Sequence, residues 1–190
     1  MTHLSDRSGG PNALVRLTEQ LEADQSLDSL SDVIRPLAHG LVADPGRRDL
    51  LQGEWLGHAV HPLLTDLPIG FWTSANVLDL VGGPSARPAA RRLVALGIAC
   101  AVPTALTGLA EWAGLQTTRD RRTASAHAFG NTVALTCYTA SWLARRRERW
   151  TTGILLGLAG ASAASVSGYL GGHLSEARKV SSRHPAFKDG

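Results

Sequence analysis

The chain has 190 residues, a net charge of +3, a pI near 9.3 and a mean hydropathy of −0.02, which suits one domain with polar tails. Its arginines stand in short clusters between apolar runs and no nucleic-acid-binding motif is present, so a nucleic-acid partner is not expected. Cys100 and Cys137 are isolated in apolar runs, which excludes a redox dithiol and a sulfur-rich metal cage, and no nucleophile–base pair or phosphate loop points to hydrolase or nucleotide chemistry.

Residues 1–55 form a polar leader with no cleavable signal peptide. Within it, residues 11–24 and 26–43 are predicted as two short amphipathic helices. Leu14, Leu17 and Leu21 have helical spacing, and Asp44-Pro45-Gly46 is a stop. These helices are expected either to lie on a membrane surface or to dock on the rest of the chain.

Four apolar runs come next, at 62–82, 93–112, 125–144 and 151–172. A bilayer-spanning helix needs about 20 apolar residues. The second and fourth runs lack the polar stripe of a water-facing helix, the third carries only His127, and Asp66 and Asp79 interrupt the first. Their Gly, Ala, Ser and Thr content suits close helix contact in lipid. Trp55 and Trp112 mark one set of ends and Trp142 and Trp150 the other, as in an interfacial belt, with only Trp72 in mid-span. The expected fold class is therefore all-α, a four-helix transmembrane bundle over residues 56–174 behind a short amphipathic helical N-terminal region, with a polar tail at 175–190. The alternative is a soluble helical protein with unusually apolar helices.

The two ends of this bundle differ. One holds Arg87, Arg91, Arg92, Arg145, Arg146, Arg147 and Arg149 in two short loops, and the other holds Arg119, Arg121 and Arg122. Arginine density places the first end in the cytoplasm of a bacterial cell.

A faint repeat runs through the same region. His61 and His127 each open a run, each is followed eleven residues later by an aromatic (Trp72, Tyr138), and then by Thr73 or Thr139. Gly97 and Gly108 match Gly157 and Gly168 in this reading. A duplicated hairpin, 62–112 and 125–172, would have a pseudo-two-fold axis along the membrane normal and would put His61 and His127 at equal depth.

Tracing the chain brings His58, His61, Asp66, Glu111, His127, Asn131 and His173 to one end. Ionisable groups at membrane depth are costly and usually face the bundle interior. The set is expected to hold iron, copper or zinc, or a b-type haem between two opposed histidines, with propionates received by Arg119, Arg121 and Arg122. The same residues would serve a proton or ion pathway, or would be interfacial decoration on a membrane anchor. Asp66, about one turn below His61, is expected to orient its imidazole. Asp79, at the other end, is expected to pair with Arg87, Arg91 or Arg92.

The segments GHAVHPLLTDLPIGFWTSANVLDL, ALTGLAEW, HAFGNTVALTCYTASWLARRR and SGYLGGHL occur in order from Gly53 to Leu174 and resemble an uncharacterised family of bacterial four-helix membrane proteins, domain of unknown function 2231. Members of the similar subgroup often continue into a Rieske [2Fe–2S] domain, whose Cys/His motifs are absent from this chain. The resemblance singles out His58, His61, Asp66, Glu111, His127 and His173. It supplies no established reaction, and the Rieske association tilts the choice toward electron transfer in a bacterial cytoplasmic membrane with a Rieske-type iron–sulfur protein as partner; the lipid bilayer and further copies of the chain are the other expected partners.

Overall fold

The computed structural model describes residues 12–182, 184 and 186, and its secondary structure among these is entirely helical. The first eleven residues of the leader and the last residues of the tail lie outside this set.

The leader folds into three helices. Helix α1 (Ala13–Ala23) starts at Asn12, whose side chain accepts the Val15 N–H at 3.0 Å. Helix α2 (Asp28–Leu41) comes after one short turn, and α3 (Pro45–Gln52) is a helix where the sequence suggests only a stop. The same three residues do both jobs. Asp44 accepts the Arg47 N–H at 2.8 Å, and Pro45 sits at the first helical position, where its missing N–H costs nothing. Gly53 then ends α3 in the left-handed region (φ 79°), where a side chain would also strike the His58 carbonyl.

Four long helices make up the rest: α4 (His61–Val81), α5 (Gly83–Ala113), α6 (Thr118–Arg146) and α7 (Trp150–Gly172), the last running into one wide π-helical turn at His173–Ala177. Only Gly82 separates α4 from α5, and Gly83 supplies the positive φ of that reversal. Thr117 opens α6 by accepting the Asp120 N–H, and the Asp120 carboxylate accepts the Thr117 hydroxyl in return. Helix α4 packs on α5 and α6 on α7, while α5–α6 and α4–α7 contacts close the ring. Helices α4 and α6 are thus diagonal partners, and they carry the large side chains that meet in the centre. Helices α5 and α7 supply small residues to receive them, with Ala90, Val94, Gly97 and Thr104 buried on one and Gly153, Gly157, Gly160 and Ser167 on the other.

The leader docks on these helices. α1 lies against α6, α2 crosses α5 and α6, and α3 flanks α5. Ala38 of α2 joins Trp112, Leu115 and Ala124 in one buried cluster, while Trp72, Ala75, Val94 and Tyr138 form a second in the middle of the long helices. Trp112 therefore does not belong to an interfacial belt: it is 4% exposed, and its indole N–H donates to Ser125. Trp55 is exposed, and Trp150 and Trp142 sit under the guanidinium groups of Arg87 and Arg146.

Among the described residues two helices, not four, are long and apolar enough by themselves to cross a membrane: Gly83–Ala113 and Trp150–Ala177, with mean hydropathies of 2.0 and 1.4. Helices α4 and α6 fall short because they carry the polar groups of the centre, among them His61, Asn76 and Asp79 on α4 and His127, Ser141 and Arg145 on α6.

Candidate site on the helix axis

Three pairs of side chains meet where α4 faces α6. At one end the His61 and His127 rings lie 6.3 Å apart, centre to centre, and are nearly perpendicular. In the middle Trp72 stacks on Tyr138 with 4.1 Å between centres and 11° between planes. At the other end Arg145 clasps Asp79 with both terminal nitrogens, one at 2.7 Å, and the two side chains are 0% and 3% exposed. Each pair spans the same 66-residue step along the chain.

The receiving helices obey a matching rule. The His61 Nδ1–H donates to the Thr104 carbonyl at 3.0 Å, and the His127 Nδ1–H donates to the Ser167 carbonyl at 2.7 Å. Gly108 lies against His61 and Gly171 against His127, so closely that an added Cβ would come within 2.7 and 2.8 Å of the rings. Gly97 makes room for Trp72 and Gly160 for Tyr138 in the same way. Thr104 and Ser167, Gly97 and Gly160, and Gly108 and Gly171 all stand 63 residues apart. The glycine correspondence read from the sequence therefore needs correction. Gly157 faces Asn76 and Arg145, a Cβ on Gly168 would meet nothing within 4 Å, and the true counterparts lie three residues further on.

The carbonyl contacts settle the imidazole tautomers. A carbonyl can only accept, so each Nδ1 carries the proton and each Nε2 keeps its lone pair. Metal-bound histidines are commonly back-bonded in this way. Zinc sites take three or four protein ligands. Among the described residues no group of three or more His, Cys, Asp or Glu side chains is gathered for a metal. The two imidazoles are therefore the donors that the structure brings together on the axis.

The other residues singled out from the sequence are not brought to this pair. His58 is exposed, and its Nδ1–H donates to the neighbouring Ala59 carbonyl at 3.0 Å. Asp66 is exposed on α4 and does not touch the His61 ring, which takes its orientation from Thr104 and Thr107 instead. One Glu111 oxygen accepts the Ser182 N–H at 2.8 Å, where the tail folds back on the end of α5 beside a cavity of about 340 Å³ lined by Gln52, Glu54 and Gln116. His173 donates to Glu22 of the leader at 2.8 Å, and Arg178 grips the same carboxylate. Glu22 is the residue sequence reasoning missed here, since a glutamate in an amphipathic leader carries no sign of burial. Burial would push its carboxyl up, but the hydrogen bonds from His173 and Arg178 outweigh that and hold it below the ordinary range.

The arginines are also assigned differently. Asp79 pairs with Arg145, not with Arg87, Arg91 or Arg92, so Arg145 is an interior residue of α6 rather than a loop charge. Arg122 binds Asp28 of the leader through both carboxylate oxygens, and Arg121 donates to the Leu115 carbonyl, which commits both to holding the leader and the α5–α6 turn. Arg145 was detectable in the sequence: the step that relates His61 to His127 also relates Asp79 to Arg145.

Comparison with known families finds a match over residues 57–184 to a model described as "Predicted membrane protein (DUF2231)". No curated protein and no solved structure matches the chain.

Proposed function

The chain belongs to the DUF2231 family of predicted membrane proteins, and on that premise we propose that it spans the bacterial cytoplasmic membrane four times and holds one redox metal centre between His61 and His127, passing single electrons. Four crossings rest on chain direction. Helices α5 and α7, the two most apolar, run the same way, because Gly108 and Gly171 near their C-terminal ends both meet the histidine pair. Two parallel spans require a return crossing between them, and α6 is that crossing. Helix α4 packs along α5 at the same level, with its polar groups turned to the axis.

The observation that carries the redox reading is the pair of back-bonded imidazoles, each protonated on Nδ1 and unprotonated on Nε2, with the His127 Nε2 accepting the Asn131 amide. When bound, a b-type haem or a copper ion supplies the one-electron couple. The chain's own residues orient the ligands: Thr104 and Ser167 hold the tautomers, Gly108 and Gly171 let the rings come close to the receiving helices, and the Trp72–Tyr138 stack packs the centre of the bundle below them. A Rieske-type iron–sulfur protein is the proposed electron partner, on the strength of the sequence resemblance.

The deciding experiment is an absorption spectrum with elemental analysis on detergent-extracted protein. A Soret band or stoichiometric copper, lost in both His61→Ala and His127→Ala, supports the reading. A colourless, metal-free protein that takes up neither haem nor cuprous ion refutes it.

A second reading has its own observation. Each imidazole also ties its hairpin together, α4 to α5 and α6 to α7, which is the work of a structural staple in a membrane anchor. In that case His61→Ala and His127→Ala lower the melting temperature and change no spectrum.

A further inference from the structure

The two halves of the axis differ at the position one turn beyond each histidine. Thr65 and Asn131 are related by the same 66-residue step. Thr65 turns away, its hydroxyl donating to the Pro62 carbonyl of its own helix at 2.6 Å. Asn131 instead bonds His127 Nε2, at 3.0 Å. The proton of His127 is on Nδ1, facing the Ser167 carbonyl, so Nε2 is an acceptor and the asparagine must present its NH₂. His61 Nε2 has no hydrogen-bond partner among the described residues.

Asn131 is also placed unusually for its exposure. It lies on the stripe of α6 that includes His127, Ala134, Tyr138 and Arg145, the face turned to the axis. Ala134, Tyr138 and Arg145 are buried, but Asn131 is exposed. Asn131 is thus an exposed polar group beside His127 on this stripe.

We propose that Asn131 is a positioning residue that controls loading of the histidine pair. Its amide occupies the one lone pair on His127 that a metal would take. Were a cuprous ion or haem iron to bind, His61 Nε2 would meet it without a competing hydrogen bond, and His127 Nε2 would become available once the Asn131 amide let go. Thr65 shows that the fold accommodates a residue here that leaves the imidazole bare. The order of loading comes from this asymmetry: His61 first, His127 second. The inference rests on the proposed metal role of the pair.

The test compares wild type with Asn131→Thr, which copies the opposite half of the axis. Asn131 is exposed, so the variant is expected to keep the wild-type melting temperature. Cuprous ion and haem are titrated separately into detergent-solubilised, metal-free protein, each monitored by absorption. Asn131→Thr is expected to bind three- to tenfold more tightly, about the factor given by removing one competing hydrogen bond. In the metal-free protein it should also move the ¹⁵N resonance of His127 Nε2 and leave that of His61 in place. His61→Ala should abolish binding, whereas His127→Ala should lose the Soret band or stoichiometric copper and retain only weak one-ligand association. If wild type binds and Asn131→Thr binds equally or less tightly, the control by Asn131 is wrong while the metal site stands. If neither protein binds either probe, the metal site itself is wrong and the control falls with it.

Discussion

Asp79 and Arg145 occupy equivalent places in two matching hairpins, yet they carry opposite charges and bind each other across the axis. An exact repeat would set two like charges face to face in a dry interior, which costs several kcal/mol. Here the two copies differ where identity would be intolerable. His61 with His127 and Trp72 with Tyr138 have stayed alike, because neutral imidazoles and stacked rings tolerate a neighbour of their own kind. The ion pair also ties three helices together, since Arg145 donates to the Gly153 carbonyl of α7 and to Ser141 as well.

Removing one member of this pair should be far worse than removing both. Asp79→Ala or Arg145→Ala leaves a buried charge alone and is expected to cost about 3–5 kcal/mol. Asp79→Leu with Arg145→Met fills the space without charge and should recover much of that loss. Thermal melting in detergent ranks the three variants, and a double variant as unstable as the singles would contradict the account.

The register of the repeat can be checked with two glycines. Gly171→Ala places a methyl within 2.8 Å of the His127 ring, so it should destabilise by about 1–3 kcal/mol and disturb the histidine pair. Gly168→Ala meets nothing within 4 Å and should be neutral or slightly stabilising. The reverse ranking would restore the correspondence suggested by sequence spacing.

Docking of the leader should weaken in acid. The Glu22 carboxyl has a lowered pKa in the folded chain, so its contribution is fully present above the ordinary value of 4.5 and disappears as pH falls through the lower, folded value. Hydrogen exchange in α1 should accelerate in that window while the interior of α5 stays protected. Glu22→Gln should exchange rapidly at neutral pH and show little further change on acidification. A pH-independent α1 in the wild type would remove Glu22 as its latch.

Crossing number is open to a direct measurement. In a Cys100→Ala, Cys137→Ala background, cysteines placed at Ser85 and at Gln116 lie at opposite ends of α5. A membrane-impermeant thiol reagent should label them from opposite sides in oriented vesicles. Labelling of both from one side would rule out the four-span arrangement.

Much of this molecule is legible in its residues before folding. Apolar runs and caps announce long helices, and the shared spacing of His61–Trp72 and His127–Tyr138 announces two similar hairpins. Such features are local: rise per residue places a side chain at a depth along its helix. Depth alone does not say which way a side chain points. His58, Asp66, Glu111 and His173 all have a suitable depth, but His58, Glu111 and His173 each turn to a different neighbour and Asp66 is exposed. Gly157 and Gly160 are equally good by spacing, since each has a glycine eleven residues on, and only contact with Tyr138 distinguishes them. Asp44-Pro45-Gly46 reads as an end and is also a beginning, because a cap residue is recognised by the helix it opens.

Chain order alone is enough to announce the four long helices, which rest on short-range apolar patterning, to carry the family resemblance in its motifs, and to suggest the two-hairpin repeat. Packing decided that two imidazoles rather than six ligands meet, that Arg145 is an interior charge, and that Glu22 anchors the leader. Those outcomes depend on the rotation of each helix about its own axis against neighbours up to 156 residues away, a relation fixed only when the surfaces close on one another.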